Sequence, residues 1–255
     1  MFSYIRLMNT KRIGIIGSGS WATAIAKIVT DNGFAINWWV RQANNIEYFQ
    51  KRHHNPHYLR NAYFDVANIQ FSDNISEVVK DADIIIIAVP SIHIEMSLAS
   101  LDTNALKGKQ VISAVKGVIP KMNLLLNQYL EQQFSFPLND YFTLLGPSHA
   151  EEIAAEQLSY LTFSGVNTQD TQDIANCFKN EYINTLVNND VFGVQFAGIA
   201  KNIYALGAGI AHGLEYGDNF LSVYIANAAS EMKQFLSGVM QQTEGQFEKV
   251  NYSAS

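Results

Sequence analysis

One lysine stands in a segment that is otherwise built from small and apolar residues. Residues 196–214 read FAGIAKNIYALGAGIAHGL, a helical pattern in which the neighbours of Lys201 at three- and four-residue spacing include Ala197, Gly198 and Ala205. A bulky ligand can approach such a face closely, and a partly desolvated ammonium with a lowered pKa would act there as acid and base at a carbonyl. The alternative is helix packing through Gly and Ala, with Lys201 reaching outward to water.

A glycine-rich turn follows the first apolar run of the chain. Residues 17–22 read GSGSWA, which is the G-x-G-x-x-A spacing between a strand candidate and a helix candidate. Gly17 permits the tight turn, Gly19 lets the backbone approach a pyrophosphate, and Ala22 lets the helix pack closely on the strand. The first N–H groups of the helix also favour phosphate. The spacing therefore predicts a dinucleotide site, with a plain strand–helix turn as the alternative.

The end of the second strand candidate bears on which dinucleotide is used. A site that prefers NAD usually has Asp or Glu about 20 residues beyond the glycines, where it holds the ribose 2′-hydroxyl. Here Arg41 occupies this region, with no acidic residue beside it. A guanidinium can pair with a 2′-phosphate or stack on adenine, so the sequence predicts that NADP is accepted and is plausibly preferred over NAD. A solvated loop arginine is the alternative.

Two further strand ends carry residues suited to ligand binding. Open parallel sheets bind ligands at the carboxyl ends of their strands. Lys116 follows the fifth strand candidate and suits a phosphate or carboxylate substrate. The sixth strand candidate is followed by GPSHAEE at 146–152, which is typical of a helix start with Pro early and acids in the first turn. Its free amides could hold a substrate oxygen or the carboxamide of a cofactor.

The elements that must position these residues alternate between strands and helices. Several strand candidates are apolar on both faces, as parallel strands covered on both sides are. We therefore predict an α/β fold, a Rossmann-type doubly wound parallel sheet in residues 1–190, followed by the start of an all-helical domain in residues 191–255. The predicted strands are 12–16, 35–40, 68–71, 83–89, 110–114, 141–145, 159–164 and 183–187. The predicted helices are 21–30, 73–80, 92–101, 122–132, 168–178, 196–214 and 220–236.

Composition narrows the classes of function. Seventeen Lys and Arg against 23 Asp and Glu give a net charge of −6, which argues against nucleic acid as the main partner. Cys177 is the only cysteine, so no internal disulfide can form, which favours a reducing, cytoplasmic location. No apolar run reaches the roughly 18 residues of a membrane span. The run KRHHNPH at 51–57 lacks a completing Cys or carboxylate, so we expect a solvated loop and no metal site.

Taken together, these stretches resemble the bacterial-type NAD(P)-dependent glycerol-3-phosphate dehydrogenase family. The resemblance covers residues 11–236, and its most specific block is DVFGVQFAGIAKNIYALGAGIAHGLEYGDN at 190–219. The other matching stretches are GSGSWATAIAK at 17–27, NPHYL at 55–59, AVPS at 88–91, ISAVKG at 112–117 and GPSHAEEIA at 146–154. The resemblance implies a Rossmann domain joined to a helical domain, with the active site between them. It also implies interconversion of dihydroxyacetone phosphate and sn-glycerol 3-phosphate with NAD or NADP, which serves glycerophospholipid synthesis.

The family's site residues transfer onto this sequence position by position. The resemblance places the catalytic proton donor and acceptor at Lys201, and a second lysine that contacts cofactor and substrate at Lys116. It implies substrate contacts at Gly146 and Ser148. The implied cofactor contacts, beside Gly17 and Gly19 of the turn, are Ser20, Trp21, Arg41, Lys116 and Ala150. The partner that it implies is a small phosphorylated substrate. Whether the protein also forms a homodimer is left open by the sequence.

The sequence departs from the family in two places. Ala226-Asn227-Ala228 stands where the family usually has Thr-Arg-Gly. The family also continues into Leu-Gly-Asp-Leu and Ser-Arg-Asn motifs that hold the substrate's glycerol and phosphate, whereas this sequence stops at Ser255. We therefore expect an incomplete helical domain with uncovered apolar faces, prone to instability, aggregation or pairing. A related hydroxy-acid dehydrogenase, or a cofactor-binding fragment without turnover, remain alternatives.

Overall fold

The computed structural model describes the backbone of residues 11–242 and the side chains of residues 11–238. The chain end at Ser255, on which the expectation of an incomplete domain rests, lies outside the described residues. Eight strands form one sheet: β1 Ile13–Ile16, β2 Ile36–Trp39, β3 Ile69–Ser72, β4 Ile84–Ile87, β5 Gln110–Ser113, β6 Tyr141–Leu145, β7 Ser159–Ser164 and β8 Ile183–Asn188. The α-helices are α1 Ser20–Asp31, α2 Ala43–Arg52, α3 Ile75–Lys80, α4 Ile94–Leu98, α5 Leu126–Phe134, α6 Ala150–Ala154, α7 Thr168–Asn176, α8 Val191–Gly213 and α9 Asp218–Gln242.

The order of the strands places a ligand crevice at a defined point. The order is β3-β2-β1-β4-β5-β6-β7-β8, and its first six strands follow the arrangement of dinucleotide-binding sheets. The strand order reverses between β1 and β4, which pair in parallel with Ile16 opposite Ile87. A ligand is expected outside the carboxyl ends of strands at such a switch point. The prediction of a doubly wound, Rossmann-type sheet is confirmed.

Alternating side chains of the strands pack into two cores, one on each face of the sheet. Ile15 and Trp38 belong to the core that α1 covers, whereas their chain neighbours Ile16 and Trp39 belong to the other. These four residues are buried, as expected for strands that are covered on both sides. Cys177 belongs to the first core, and burial raises the pKa of its thiol to about 11. The sheet therefore forms a rigid base for the loops at its carboxyl edge.

Helix α8 begins on the sheet and then leaves it. The buried side chain of Asp190 caps the helix by accepting a hydrogen bond from the backbone N–H of Gly193 at 2.7 Å. Gln195, also buried, accepts from the Tyr141 hydroxyl at 3.0 Å and donates to Asn127 at 3.3 Å. These bonds join the start of α8 to β6 and α5, so the position of Lys201 two turns later depends on the sheet.

The later part of α8 pairs with α9 and exposes a large apolar surface within the described residues. The predicted uncovered apolar faces are present in the structure. More than half of each side chain is exposed at Ile203, Leu206, Ile210, Leu214, Val223 and Ile225. Apolar surface of this extent is typical of interaction sites or of aggregation-prone chains. Among the described helices, none combines the length and the apolar character needed to cross a membrane.

Several elements differ from the sequence-based predictions. Strand β7 runs antiparallel to β6, so the sheet is not parallel throughout. Helix α2 was not predicted, since its residues are mostly polar and its one buried residue is Phe49. Helix α5 begins at Leu126 rather than 122, because residues 119 and 124 form an isolated bridge and Asn123 has a left-handed φ of 53°. The domain boundary between residues 190 and 191 stays a prediction.

Candidate active site

The glycine turn has the backbone geometry that its spacing predicts. Gly17 has a φ of +121°, and a Cβ there would lie 2.5 Å from the carbonyl oxygen of Ala88, beyond the end of β4. A Cβ on Gly19, by contrast, would meet no atom within 4 Å. One glycine thus lets two strand ends approach each other, and the other leaves open space at the start of α1. That space lies where a ligand would reach the backbone.

The start of α1 offers donors that the protein does not use. Gly19 is the N-cap residue and supplies no side-chain cap, so N–H groups of the first turn, which includes Ser20, keep their hydrogen-bonding capacity. The indole N–H of Trp21 is buried without a hydrogen-bond partner. Buried polar groups are normally paired, and an orphan at a cleft indicates a ligand position. These features, with the open side of Gly19, fit a dinucleotide.

Lys116 brings a positive charge to this turn. Its ammonium lies 5.6 Å from the centroid of the Trp21 ring, within the range of a cation–π contact. The pKa of Lys116 is lowered. The larger cause is partial loss of hydration on burial, and the second is the positive charge of Lys201. No ion pair joins Lys116 to a carboxylate within the described side chains. The group is therefore a cation without a fixed counter-ion, which suits an anionic ligand.

Lys201 lies on α8 and acts electrostatically on Lys116. Its charge is the second cause, after burial, of the lowered pKa of Lys116, although the two residues are 85 positions apart in the sequence. A Cβ on Gly198, three residues before Lys201, would meet nothing within 4 Å. The space predicted beside this lysine therefore exists. Lys201 itself is exposed, and the prediction that it is partly desolvated is wrong for the described chain.

Arg41 lines a polar cavity of about 230 Å³ beside the turn. Its described lining contains no carboxylate, which agrees with the absence of an acidic residue after β2 in the sequence. The lining consists of Ser18, Val40, Arg41, Gln42, Asn45, Phe49, Asn55, His57 and Tyr58. The exposed guanidinium of Arg41 can meet a phosphate there, so this side of the cavity favours a ligand with negative charge. The preference for NADP over NAD stays a prediction.

The residues after β6 have clear structural roles. Ser148 is nearly buried and donates its hydroxyl to the carbonyl oxygen of Tyr160 at 2.7 Å. Gly146 has a φ of +139°, and a Cβ there would lie 2.8 Å from the same oxygen. Ala150 begins α6 and is buried in the core beside α1. These contacts hold the loop after β6 against β7, and the predicted ligand contacts of the three residues stay predictions.

The segment 51–57 is not a solvated loop throughout. Lys51 and Arg52 are exposed at the end of α2, as expected, but Asn55 is only 1% exposed. Its amide donates to the carbonyl oxygen of Ser18 at 3.1 Å and to the hydroxyl of Thr23 at 2.8 Å. Within the described residues no group of three His, Cys, Asp or Glu side chains could hold a metal ion. The resemblance included Asn55 but assigned it no role.

Comparison with known proteins places the chain among dehydrogenases. Residues 12–171 match the family model described as "NAD-dependent glycerol-3-phosphate dehydrogenase N-terminus", and residues 190–252 match the corresponding C-terminus model. Proteins named glycerol-3-phosphate dehydrogenase [NAD(P)+] from Streptococcus suis and Streptococcus pneumoniae are each 34% identical over 227 residues, which are 88% of this chain and 67% of theirs.

Solved structures agree with the sequence comparison. A glycerol-3-phosphate dehydrogenase from Plasmodium falciparum is 26% identical with a TM-score of 0.84, over 96% of this chain and 71% of that chain. The enzyme of that name from Saccharomyces cerevisiae is 27% identical with a TM-score of 0.76, over 88% of this chain and 69% of its own. The glycine turn, the sequence relatives and both family models agree: this chain belongs to the NAD-dependent glycerol-3-phosphate dehydrogenase family.

Proposed function

We propose that this protein interconverts dihydroxyacetone phosphate and sn-glycerol 3-phosphate, with NAD(P)(H) as the redox partner and Lys201 as the acid–base group. The family membership supports the reaction class. The observation that carries the residue assignment is the position of Lys116 over Trp21 at the glycine turn, and the charge of Lys201 contributes to the lowered pKa of Lys116. Lys116 at the glycine turn and Lys201 on α8 are the two cations that this proposal assigns to the phosphorylated ketone.

Each residue has a separate role in the proposed reaction. The reduced cofactor, when bound, supplies the hydride that forms the new C–H bond at the ketone carbon. Lys201 donates a proton to the ketone oxygen as the C=O π bond breaks, and in the reverse direction its neutral amine removes the hydroxyl proton. Lys116 stabilises the negative charge that develops on that oxygen. Gly17, Gly19, Ser20 and Trp21 bind the dinucleotide in this proposal, with Arg41 on its adenosine side.

The substrate and location follow from the same proposal. Two unpaired cations favour a substrate that carries a phosphate, and we include contacts from Gly146, Ser148 and Ala150 as the family resemblance implies. A cytoplasmic location is part of the proposal, because the reaction uses the NAD(P)(H) pool, and so is a role in glycerophospholipid synthesis. A homodimer is the assembly to test first by sedimentation, since apolar side chains of α8 and α9 are exposed.

Replacement of Lys201 tests the proposal. For Lys201→Ala we expect turnover of glycerol 3-phosphate to fall by about 10²- to 10⁴-fold, as for loss of a general acid–base group, while NADPH still binds. The matched control is Lys233→Ala, which removes an exposed lysine from α9. Ordinary turnover in Lys201→Ala would contradict the assignment. Wild-type protein that binds NADPH but oxidises neither glycerol 3-phosphate nor hydroxy acids would instead support a binding fragment without turnover.

A further inference from the structure

The glycine turn is held from behind by three buried side chains. The carbonyl oxygens of Gly17, Ser18 and Gly19 accept hydrogen bonds from Trp38, Asn55 and Thr23, at 2.7, 3.1 and 2.8 Å respectively. All three donor residues are at most 1% exposed. Three consecutive carbonyl groups are therefore directed at buried donors, although the two donors Trp38 and Asn55 come from β2 and from the loop after α2.

The Trp38 donor cannot move away from the turn without disturbing a packed cluster. Its ring lies 5.0 Å from Phe49, 5.5 Å from Phe64 and 5.7 Å from Phe71, measured between centroids. Aromatic rings at these separations stabilise one another beyond the burial of their area. The indole N–H thus has a fixed direction, and the Gly17 carbonyl is the group that it binds.

Asn55 links the turn to the cavity beside Arg41. Its amide nitrogen donates to Ser18 and Thr23, and its amide oxygen accepts from the backbone N–H groups of His57 and Tyr58 at 2.9 and 3.2 Å. All four hydrogen-bonding positions of the side chain are therefore used. Because His57 and Tyr58 line the cavity, one buried side chain sets both the glycine turn and the loop that borders the adenosine side.

This arrangement matters for the charge that the turn presents to a ligand. Carbonyl oxygens carry partial negative charge and would repel a pyrophosphate, whereas the N–H groups at the start of a helix attract it. We propose that Trp38 and Asn55 are positioning residues for the dinucleotide, which hold these carbonyls inward so that the turn binds pyrophosphate without rearrangement. This inference rests on the proposed function only in that the ligand is NAD(P)(H). A site ordered in advance loses less entropy on binding.

The neighbouring tryptophan provides a matched control. Trp39 follows Trp38 in β2, is also buried, and donates its indole N–H to the carbonyl oxygen of Asp73 at 3.0 Å, away from the glycine turn. Trp38→Phe and Trp39→Phe therefore each remove one buried indole N–H bond to a backbone carbonyl. We expect the two variants to lose similar thermal stability, whereas NADPH should bind about three- to thirtyfold more weakly to Trp38→Phe alone, measured by titration calorimetry.

A second pair tests the amide. Asn32, at the other end of α1, donates to the carbonyl oxygens of Cys177 at 2.7 Å and Lys179 at 3.3 Å. Asn55→Ala should weaken NADPH binding by about tenfold or more, and Asn32→Ala should leave it within about twofold of wild type. Hydrogen exchange without ligand supplies an independent readout: the amides of residues 18–21 should exchange faster in Trp38→Phe than in wild type or Trp39→Phe.

The outcomes separate this inference from the proposed function. If the wild type binds NADPH and Trp38→Phe binds equally well, with unchanged exchange at residues 18–21, the positioning role is wrong and the proposed function stands. Equal loss of affinity in Trp38→Phe and Trp39→Phe would show a general effect of stability and would also overturn the positioning role. If wild-type protein does not bind NADPH, both the positioning role and the proposed function fail.

Discussion

Two lysines near opposite ends of α1 are in opposite situations. Near its C-terminal end, Lys27 is buried and pairs with Asp31 at 2.8 Å and Glu156 at 3.0 Å. Tyr182 completes the cluster, since its hydroxyl donates to Asp31 and its ring lies 5.8 Å from the Lys27 ammonium. Near the N-terminal end, Lys116 lies over Trp21. Within the described part of the chain, no carboxylate pairs with Lys116 and the Trp21 indole N–H has no hydrogen-bond partner.

The pKa shifts of the two lysines have opposite signs for this reason. Burial by itself lowers the pKa of Lys27, but its hydrogen bonds to Asp31 and Glu156 more than offset this and raise the pKa. Lys116 loses hydration without gaining a counter-ion, and the charge of Lys201 lowers its pKa further. A cation whose neighbours satisfy it stabilises the fold, whereas a cation left unsatisfied beside an open cleft is available to a ligand.

Removal of the unsatisfied cation should have the largest effect on binding. For Lys116→Met we expect NADPH affinity to fall by about ten- to a hundredfold, because a charge-assisted contact to the ligand is lost. The melting temperature should stay close to the wild-type value, since Lys116 forms no ion pair with any described residue. Titration calorimetry and thermal melts measure the two quantities. Lys121→Met, in the same loop and exposed, is the control. A Lys116→Met variant with a lowered melting temperature and wild-type NADPH affinity would contradict the assignment of Lys116 to ligand binding.

Removal of the paired cation should show the opposite pattern. Lys27→Ala leaves two carboxylates and the Tyr182 ring without their cation and removes a buried stem, so we expect a loss of about 2 kcal/mol in the free energy of unfolding. Because the pKa of Lys27 is raised, its contribution is fully present below pH 10.5 and is lost only as the pH rises through the folded-state value.

Measurements at neutral pH therefore detect the whole effect of Lys27→Ala. Tyr182→Phe removes a single hydrogen bond of the same cluster and should cost about 1 kcal/mol. Urea denaturation gives both values, and NADPH affinity should be unchanged in both variants. A Lys27→Ala variant with wild-type stability would show that the cluster contributes nothing measurable.

The smallest expected effect is on the pH dependence of binding. Lys116 attracts an anionic ligand only while it is protonated, and its lowered pKa means that this charge is lost at a lower pH than for an ordinary lysine. As the pH rises, NADPH affinity should therefore begin to fall at a pH below 10.5. Lys201→Met removes one cause of the shift, so the fall should begin at higher pH, while Lys233→Met should not move it. Identical profiles for wild type and Lys201→Met would show that the two lysines do not interact.

The residues that could be predicted from the sequence are those whose spacing carries the information. Gly17 and Gly19 are recognisable because their separation and their place between strand and helix are local properties. Lys201 could be singled out because its small neighbours recur at helical spacing. Its burial could not, because burial depends on what packs around α8, and the structure leaves this lysine exposed.

The positioning residues could not be predicted, because they act through contacts between distant parts of the chain. Trp38 and Gly17 are 21 residues apart, and the hydrogen bond between them depends on the parallel pairing of β1 and β2. Asn55 looked solvated because charged and histidine residues surround it in the sequence. The antiparallel direction of β7 is likewise a property of the assembled sheet, since strand periodicity contains no information on direction.

The buried thiol of Cys177 makes this protein a convenient background for spectroscopic labelling. It is the chain's only cysteine, it is 4% exposed, and its raised pKa keeps it protonated at neutral pH. A maleimide dye should therefore leave the wild type almost unlabelled and react with a cysteine introduced at an exposed site such as Asn202→Cys. A fluorophore placed there, one residue from Lys201, would report on ligands that approach this part of α8.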